Sequence, residues 1–128
     1  MNLAIIGATG LVGEKILKVL KERNIFITNL ILVASKKSQG KTISFLNIDY
    51  KIISIENALE KKLDVAIFSA GKDISLKWAE KFANRGITVI DNSSAWRMDK
   101  TKKLIVPEVN GNELTIDDKI IWRHCKLG

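Results

Sequence analysis

Three glycines spaced three residues apart follow the first apolar run, and they restrict the possible fold more than any other feature of the chain. The stretch reads IIGATGLVGEKI over residues 5–16, with the glycines at Gly7, Gly10 and Gly13. A strand, a glycine loop and a helix in this order are typical of a sheet that binds a dinucleotide at the helix N-terminus. The alternative interpretation is a tight strand-to-helix turn that serves the fold alone.

Each position of the glycine loop has a specific expected role. Gly7 allows a tight turn out of the strand, Gly10 leaves room for a pyrophosphate, and Gly13 lets helix and strand pack closely. The spacing is G-x-x-G-x-x-G and not the commoner G-x-G-x-x-G, and Thr9 adds a hydroxyl donor. We predict that cofactor phosphates lie on the free N–H groups at the start of a helix over residues 11–23.

Short apolar runs alternate with helical patterns, which predicts an α/β fold. We expect strands at 3–6, 29–34, 64–68 and 87–91, short strands near 43–46, 51–55 and 104–106, helices at 11–23 and 73–85, and a helical turn near 56–61. This order implies right-handed crossovers and a Rossmann-like, doubly wound, mostly parallel sheet. The first helix should bury Val12, Ile16, Val19 and Leu20. In the later helix Trp78 and Phe82 form an i,i+4 pair, and Gly86 suits a left-handed C-cap.

Composition supports one globular domain. The 128 residues are 46% apolar, which is ample for a core, and no apolar run approaches the roughly 20 residues of a transmembrane helix. Cys125 is the single cysteine, so no disulfide forms within the chain. The first strand begins at once and leaves no room for a signal peptide. We therefore predict a cytoplasmic protein with no membrane role and no metal site.

The net charge of +7 raises nucleic acid as an alternative partner. The lysines are spread along the whole chain and aromatic residues make up only 6% of it. We therefore predict a solvated basic surface and no nucleic-acid partner. Retention on DNA that weakens as salt rises would support the alternative.

The end of the second predicted strand bears on which dinucleotide binds. An NAD site usually places Asp or Glu here, because the carboxylate holds the ribose 2′-hydroxyl. The stretch VASKKSQGK, residues 33–41, instead carries cations and hydroxyls: Ser35, Lys36, Lys37, Ser38 and Lys41. Such groups attract a 2′-phosphate, so we predict NADP. The alternative is a solvated basic loop.

Five segments together resemble the aspartate-semialdehyde dehydrogenase family, whose members reduce aspartyl phosphate with NADPH. They are GATGLVG, ASKKSQGK, FSAGKDIS, VIDNSSAWRMD and LIVPEVN, in the family's order across residues 3–110. The most specific part is DNSSAWRM followed by VPEVN, and reductases of N-acetylglutamyl phosphate fit these segments less well. The resemblance implies that the substrate is a small molecule, aspartyl phosphate. It also implies a place in the biosynthesis of lysine, threonine, methionine and diaminopimelate, and homo-oligomers in the full-length family.

The resemblance also implies roles for individual residues. The cofactor phosphates would contact Thr9, Gly10, Leu11 and Val12. The 2′-phosphate would be held by Lys37 and Ser38, although the family more often has Arg at the position of Lys37. The backbone of Ser69, Ala70 and Gly71 would lie along the cofactor.

The substrate's phosphoryl group would bind to Asn92 and Arg97, since the planar guanidinium matches phosphate oxygens. From the residues alone an alternative stands beside this role. DNSS is equally compatible with a hydrogen-bonded Asx turn, and Arg97 with a surface salt bridge.

The resemblance ends at the family's nucleophile, a cysteine in an NPNCST motif whose thiolate forms a thioester that a hydride then reduces. Here residues 119–128 read KIIWRHCKLG, so Cys125 lies one position early and lacks the Asn-Pro-Asn context. We assign no catalytic residue. We expect an NADP-binding domain over 1–121, a divergent tail over 122–128, no second catalytic and dimerisation domain, and therefore an inactive truncated fragment. The alternative function is a non-catalytic dinucleotide-binding or partner-binding module.

Overall fold

Strands and helices alternate along the chain in a computed structural model that describes residues 1–93 and the strand segments 103–104 and 120–122. The strands are β1 (Asn2–Ile6), β2 (Asn29–Val33), β3 (Thr42–Phe45), β4 (Ile48–Lys51), β5 (Val65–Phe68), β6 (Thr88–Asp91), β7 (Lys103–Leu104) and β8 (Ile120–Trp122). The helices are α1 (Leu11–Glu22), α2 (Ile55–Leu59) and α3 (Lys72–Asn84).

Six of the strands pair in parallel in the order β2-β1-β5-β6-β8-β7. From β1 the chain moves outward to β2, and it later returns to place β5 on the other side of β1. This reversal is the topological switch point of a doubly wound sheet, where ligands bind beyond the carboxyl ends of the strands. The predicted Rossmann-like fold class is confirmed.

Helices cover both faces of this sheet and divide the core in two. α1 and the β3–β4 hairpin pack on one face, where Leu17, Leu20 and Phe45 are buried. α2 and α3 pack on the other face, where Phe68 of β5 and Phe82 of α3 are buried. Opposite faces are expected, because right-handed crossovers leave β1 and β5 in opposite directions across the sheet. In the part of the chain that the structure describes, no helix is long and apolar enough to cross a membrane.

The buried face of α1 differs from the expected one. Val19 is 47% exposed, whereas Leu17 is buried together with Gly13 and Leu20. The cause is the contact that Gly13 makes with the preceding loop, which fixes the rotation of the helix about its axis. Residues four and seven positions after Gly13 then face the core. By contrast, Gly86 follows α3 with a φ of +82°, as its C-cap pattern predicts.

The β3–β4 hairpin is tighter than the sequence suggests. A second short strand was expected near 51–55, but β4 spans Ile48–Lys51. Leu46 and Asn47 have φ angles of +52° and +65°, so the strands are joined by a two-residue turn. Leucine is an unusual residue at positive φ, which is why the sequence does not indicate this turn. After β4, Ile53 forms a parallel bridge with Val33 at the edge of the main sheet.

Replacing Phe82 by alanine tests the core beneath α3. The Phe82 ring is fully buried and meets the Phe68 ring edge-on, with centroids 5.3 Å apart. We expect Phe82→Ala to lower the free energy of unfolding by about 3–5 kcal/mol, because it leaves a cavity, as measured by urea denaturation. Leu76→Ala is the control on the same helix, since Leu76 is 48% exposed and its loss should cost under about 0.5 kcal/mol. Equal losses would contradict this packing.

Candidate functional site

A cavity of about 340 Å³ opens at the switch point of the sheet, beyond the carboxyl ends of β1, β2 and β5. Its walls bring together residues that are far apart in the sequence. Six of the predicted cofactor-binding residues line it: Gly7, Thr9, Gly10, Ser35, Ser69 and Ala70. The glycine loop and the ends of two other strands therefore share one concave site.

The backbone conformation and the close packing at Gly7 require a glycine there. Its φ is +95°, and a Cβ there would lie 2.7 Å from the carbonyl oxygen of Ser69. The N–H groups of Gly7 and Ala8 both donate to the carbonyl of Val33, at 2.8 and 3.0 Å. The turn therefore ties the carboxyl end of β1 to the ends of β2 and β5.

Gly13 is also required by close packing. A Cβ at this position would lie 2.3 Å from the carbonyl oxygen of Gly7 and 2.8 Å from the Cα of Ala8. No side chain fits that space, since Cβ atoms do not approach backbone so closely. Glycine here lets the first turn of α1 lie directly against the loop, as the spacing predicts.

Gly10 differs from its two neighbours. A Cβ added to it would meet only the carbonyl oxygen of Gly7, at an ordinary contact distance of 3.5 Å. Its φ of −76° is open to any residue, and as the N-cap of α1 it provides no side-chain hydrogen bond. The first turn of α1 therefore has no side-chain cap, the arrangement that leaves helix N-termini able to bind anions.

A basic turn follows β2 beside the cavity. The N–H of Ser38 donates to the carbonyl of Ser35 at 2.8 Å, so Lys36 and Lys37 are the central residues of a β-turn. Both lysines are exposed, and Ser35 lines the cavity. The turn places two cations next to the site.

The hydroxyl and the N–H of Ser69 both donate to β1. The Ser69 Oγ donates to the carbonyl of Ile6 at 3.0 Å, and the Ser69 N–H donates to the same oxygen at 2.8 Å. These bonds fasten the end of β5 to the end of β1. Gly71, two residues on, is the N-cap of α3, with a φ of +94° and open space where a Cβ would stand.

The other predicted residues whose positions the structure describes lie outside the cavity lining: Leu11, Val12, Gly13, Lys37, Ser38, Gly71 and Asn92. Leu11 is 63% exposed at the start of α1, and half-buried Asn92 directly follows β6. Arg97, His124, Cys125 and the VPEVN segment over 106–110 fall outside the described residues.

Five apolar residues of the cavity lining were not predicted as site residues: Ile6, Val33, Ala34, Ile55 and Ile74. The last two lie on helices. Ile55 is the first residue of α2, and Ile74 lies in the first turn of α3. Both also pack against the core on that face of the sheet. Helical periodicity predicts only the core role, and no sequence signal separates a pocket wall from a core residue here.

Comparison with known proteins agrees with this geometry. The sequence matches the semialdehyde dehydrogenase, NAD binding domain family over residues 2–116. The chain belongs to that family. The cavity at the switch point therefore lies where a nicotinamide dinucleotide binds in such a sheet.

Individual relatives are aspartate-semialdehyde dehydrogenases. The protein from Aquifex aeolicus is 51% identical over 115 residues, which cover 88% of this chain and 34% of that protein. Aspartate-semialdehyde dehydrogenase 2 of Vibrio cholerae is 45% identical over 109 residues, 85% of this chain and 32% of that protein.

A crystal structure of Vibrio cholerae aspartate semialdehyde dehydrogenase II complexed with ASA superposes with a TM-score of 0.86 at 41% identity, covering 95% of this chain and 40% of that one. The chain thus spans about a third of the length of the first two relatives. The resemblance derived from the sequence is confirmed. The chain is a domain of the aspartate-semialdehyde dehydrogenase type, a family of oxidoreductases, and it is the part of such proteins that binds a nicotinamide dinucleotide.

Alanine at Gly10 and at Gly13 separates binding from folding. Gly10→Ala should cost under about 1 kcal/mol of stability, because its Cβ has space and the position is an N-cap. It should weaken dinucleotide binding roughly tenfold or more, because the methyl group blocks approach to the α1 N-terminus. Gly13→Ala should destabilise the fold by about 1–3 kcal/mol through overpacking. Thermal unfolding and calorimetric titration measure the two effects, and equal destabilisation by both variants would contradict this division.

Proposed function

We propose that this domain binds NADPH in preference to NADH and serves the reductive dephosphorylation of L-aspartyl 4-phosphate to L-aspartate 4-semialdehyde. The observation that carries the proposal is the glycine-loop cavity with an uncapped α1 N-terminus and a basic turn beside it. The names of the related dehydrogenases support the reaction. In that family the reaction belongs to the biosynthesis of lysine, threonine, methionine and diaminopimelate.

The residues of the cavity fit a dinucleotide. Gly10 leaves its backbone open to a ligand, and Thr9 adds a hydroxyl beside the first-turn N–H groups of α1, which suits a pyrophosphate. Val33, Ile55 and Ile74 supply apolar walls, which suit the flat adenine ring. When bound, the reduced nicotinamide supplies a hydride.

Preference for NADPH rests on the turn after β2. Ser35 lines the cavity, and exposed Lys37 and half-buried Ser38 continue the same turn. A phosphate on the ribose would gain a cation and hydroxyl donors here, whereas residues 33–41 include no carboxylate to hold a free 2′-hydroxyl. Lysine provides charge without the bidentate geometry of arginine, so we expect a moderate preference.

Charge reversal at Lys37 tests this preference. Calorimetric titration of the wild-type chain should give tighter binding of NADPH than of NADH. Lys37→Glu should weaken NADPH binding roughly tenfold or more, because a carboxylate repels the 2′-phosphate. Most of the difference between the two cofactors should then disappear. Lys36→Glu is the matched control, with the same change in net charge at the neighbouring position of the turn. Equal wild-type affinities for the two cofactors, or equal effects of the two variants, would contradict the assignment.

The substrate side of the site lies further along the same edge of the sheet. We propose that Asn92, at the carboxyl end of β6, and Arg97 bind the phosphoryl group of the substrate. Arg97 suits this because its planar donors match phosphate oxygens. The chain's own contribution to the reaction is then to bind and orient the two ligands at adjacent strand ends.

Turnover needs a thiolate in addition, and we propose that these 128 residues alone bind the cofactor without catalysis. Cys125 stands in RHC and not in the Asn-Pro-Asn-Cys context of the family, three residues after Trp122, the last residue of β8. Binding without turnover would make the chain a non-catalytic dinucleotide-binding module.

A spectroscopic assay checks this proposal. Wild-type chain mixed with aspartate semialdehyde, phosphate and NADP should produce no NADPH absorbance above the protein-free rate, because no nucleophile forms the acyl-enzyme. Cys125→Ser should be indistinguishable from wild type. Appreciable NADPH formation that disappears in Cys125→Ser would overturn two claims: that the chain alone is inactive, and that Cys125 is not a nucleophile.

A further inference from the structure

Two polar side chains are fully buried among the residues that the structure describes. They are Ser75 on α3 and Asp91 at the end of β6, and neither lines the dinucleotide cavity. A buried carboxylate is costly unless it is hydrogen-bonded, so a specific reason for Asp91 is expected.

The fold places both groups in the same interface. Side chains alternate along a strand, so Asp91 lies on the same face of the sheet as Val89, which packs with Trp78 and Phe82 of α3. Ser75 belongs to the buried face of α3 and lies near the N-terminus of that helix. The carboxylate is therefore buried under the N-terminal half of α3, at the carboxyl edge of the sheet.

The carboxylate organises the turn that follows β6. Asp91 Oδ1 accepts a hydrogen bond from the N–H of Ser93 at 2.8 Å, which closes an Asx turn. The residue between them is Asn92, whose own N–H donates to the carbonyl of Phe68 at 3.2 Å. Asn92 is thus held on both sides, by its own backbone bond to β5 and by the bond from the next residue to the Asp91 carboxylate.

We propose that Asp91 is a positioning residue: its buried carboxylate fixes the turn at 91–93 so that the Asn92 amide faces the phosphoryl group of the substrate. This inference rests on the proposed role of Asn92 in phosphoryl binding. The environment suits the task, because the positive end of α3 favours a carboxylate and Gly71, its N-cap, contributes no competing side chain. Charge-assisted bonds to backbone N–H groups are also short and directional, which makes the turn rigid.

Ser75 provides the matched control for this interface. Its hydroxyl is buried and has no hydrogen-bond partner among the described residues. Ser75→Ala therefore alters the packing between α3 and the sheet at the same end without removing a bond from the turn. Any effect that is specific to the carboxylate should be absent from this variant.

The experiment measures inorganic phosphate binding to the wild-type chain and to Asp91→Ala, Asp91→Asn and Ser75→Ala, each saturated with NADPH to occupy the cofactor's own phosphate sites. The side-chain amide resonance of Asn92 reports binding, and hydrogen exchange of the Ser93 amide reports the turn. We expect Asp91→Ala to weaken phosphate binding roughly tenfold and to speed Ser93 exchange, with NADPH affinity unchanged. Asp91→Asn keeps an acceptor oxygen and should restore binding to within about threefold.

Different outcomes test different claims. Wild-type phosphate affinity and Ser93 exchange in Asp91→Ala would overturn the inference, and so would an equal loss in Ser75→Ala, which would assign the effect to helix packing. If phosphate leaves the Asn92 resonance of the wild-type chain unchanged, the proposed substrate role of Asn92 fails and the positioning for phosphate fails with it. Ser93 exchange then still decides whether Asp91 holds the turn: equal rates in wild type and Asp91→Ala would show that it does not.

Discussion

The close approach of α1 to the loop that precedes it is the constraint on which the rest of the structure depends. The Cα of Gly13 lies so near the Gly7 carbonyl that no side chain fits between them, and Gly7 in turn presses against the backbone of Ser69. These contacts bring the start of α1 to the carboxyl ends of β1 and β5. A helix with uncapped N–H groups is thereby aimed at the one crevice where the strand order reverses.

The sequence was sufficient for the order of the elements from β1 to β6, since apolar runs and helical periodicity depend on local spacing, but β8 was not among the expected strands. It was less informative where tertiary contacts override that pattern. Val19 has the right spacing for the core, but the contact at Gly13 rotates α1 so that Leu17 is buried in its place. The hairpin turn at Leu46 and Asn47 was missed because leucine is rarely found at positive φ, and only the packed hairpin compensates for its strain.

For the cavity, the sequence indicated the glycines, the hydroxyl-bearing residues and Ala70, and it missed the five other apolar residues of the lining. Motif spacing predicts a binding role for residues such as Thr9 and Ser35, because few folds require a hydroxyl at those positions for packing alone. Ile55 and Ile74 give no such indication, since an isoleucine that faces a ligand and one that faces the core look alike in one sequence. Asp91 was visible in DNSS, yet its burial could only be recognised once β6 was placed under α3.

The unequal demands on the three glycines have a consequence for how such a domain diverges. The fold itself requires glycine at Gly7 and Gly13, whereas it leaves space for a methyl group at Gly10. A copy of this domain released from cofactor binding would therefore accept substitutions at Gly10 early, while its first and third glycines stayed fixed. Variation at that middle position among descendants would record the loss of the ligand even where the fold remained unchanged.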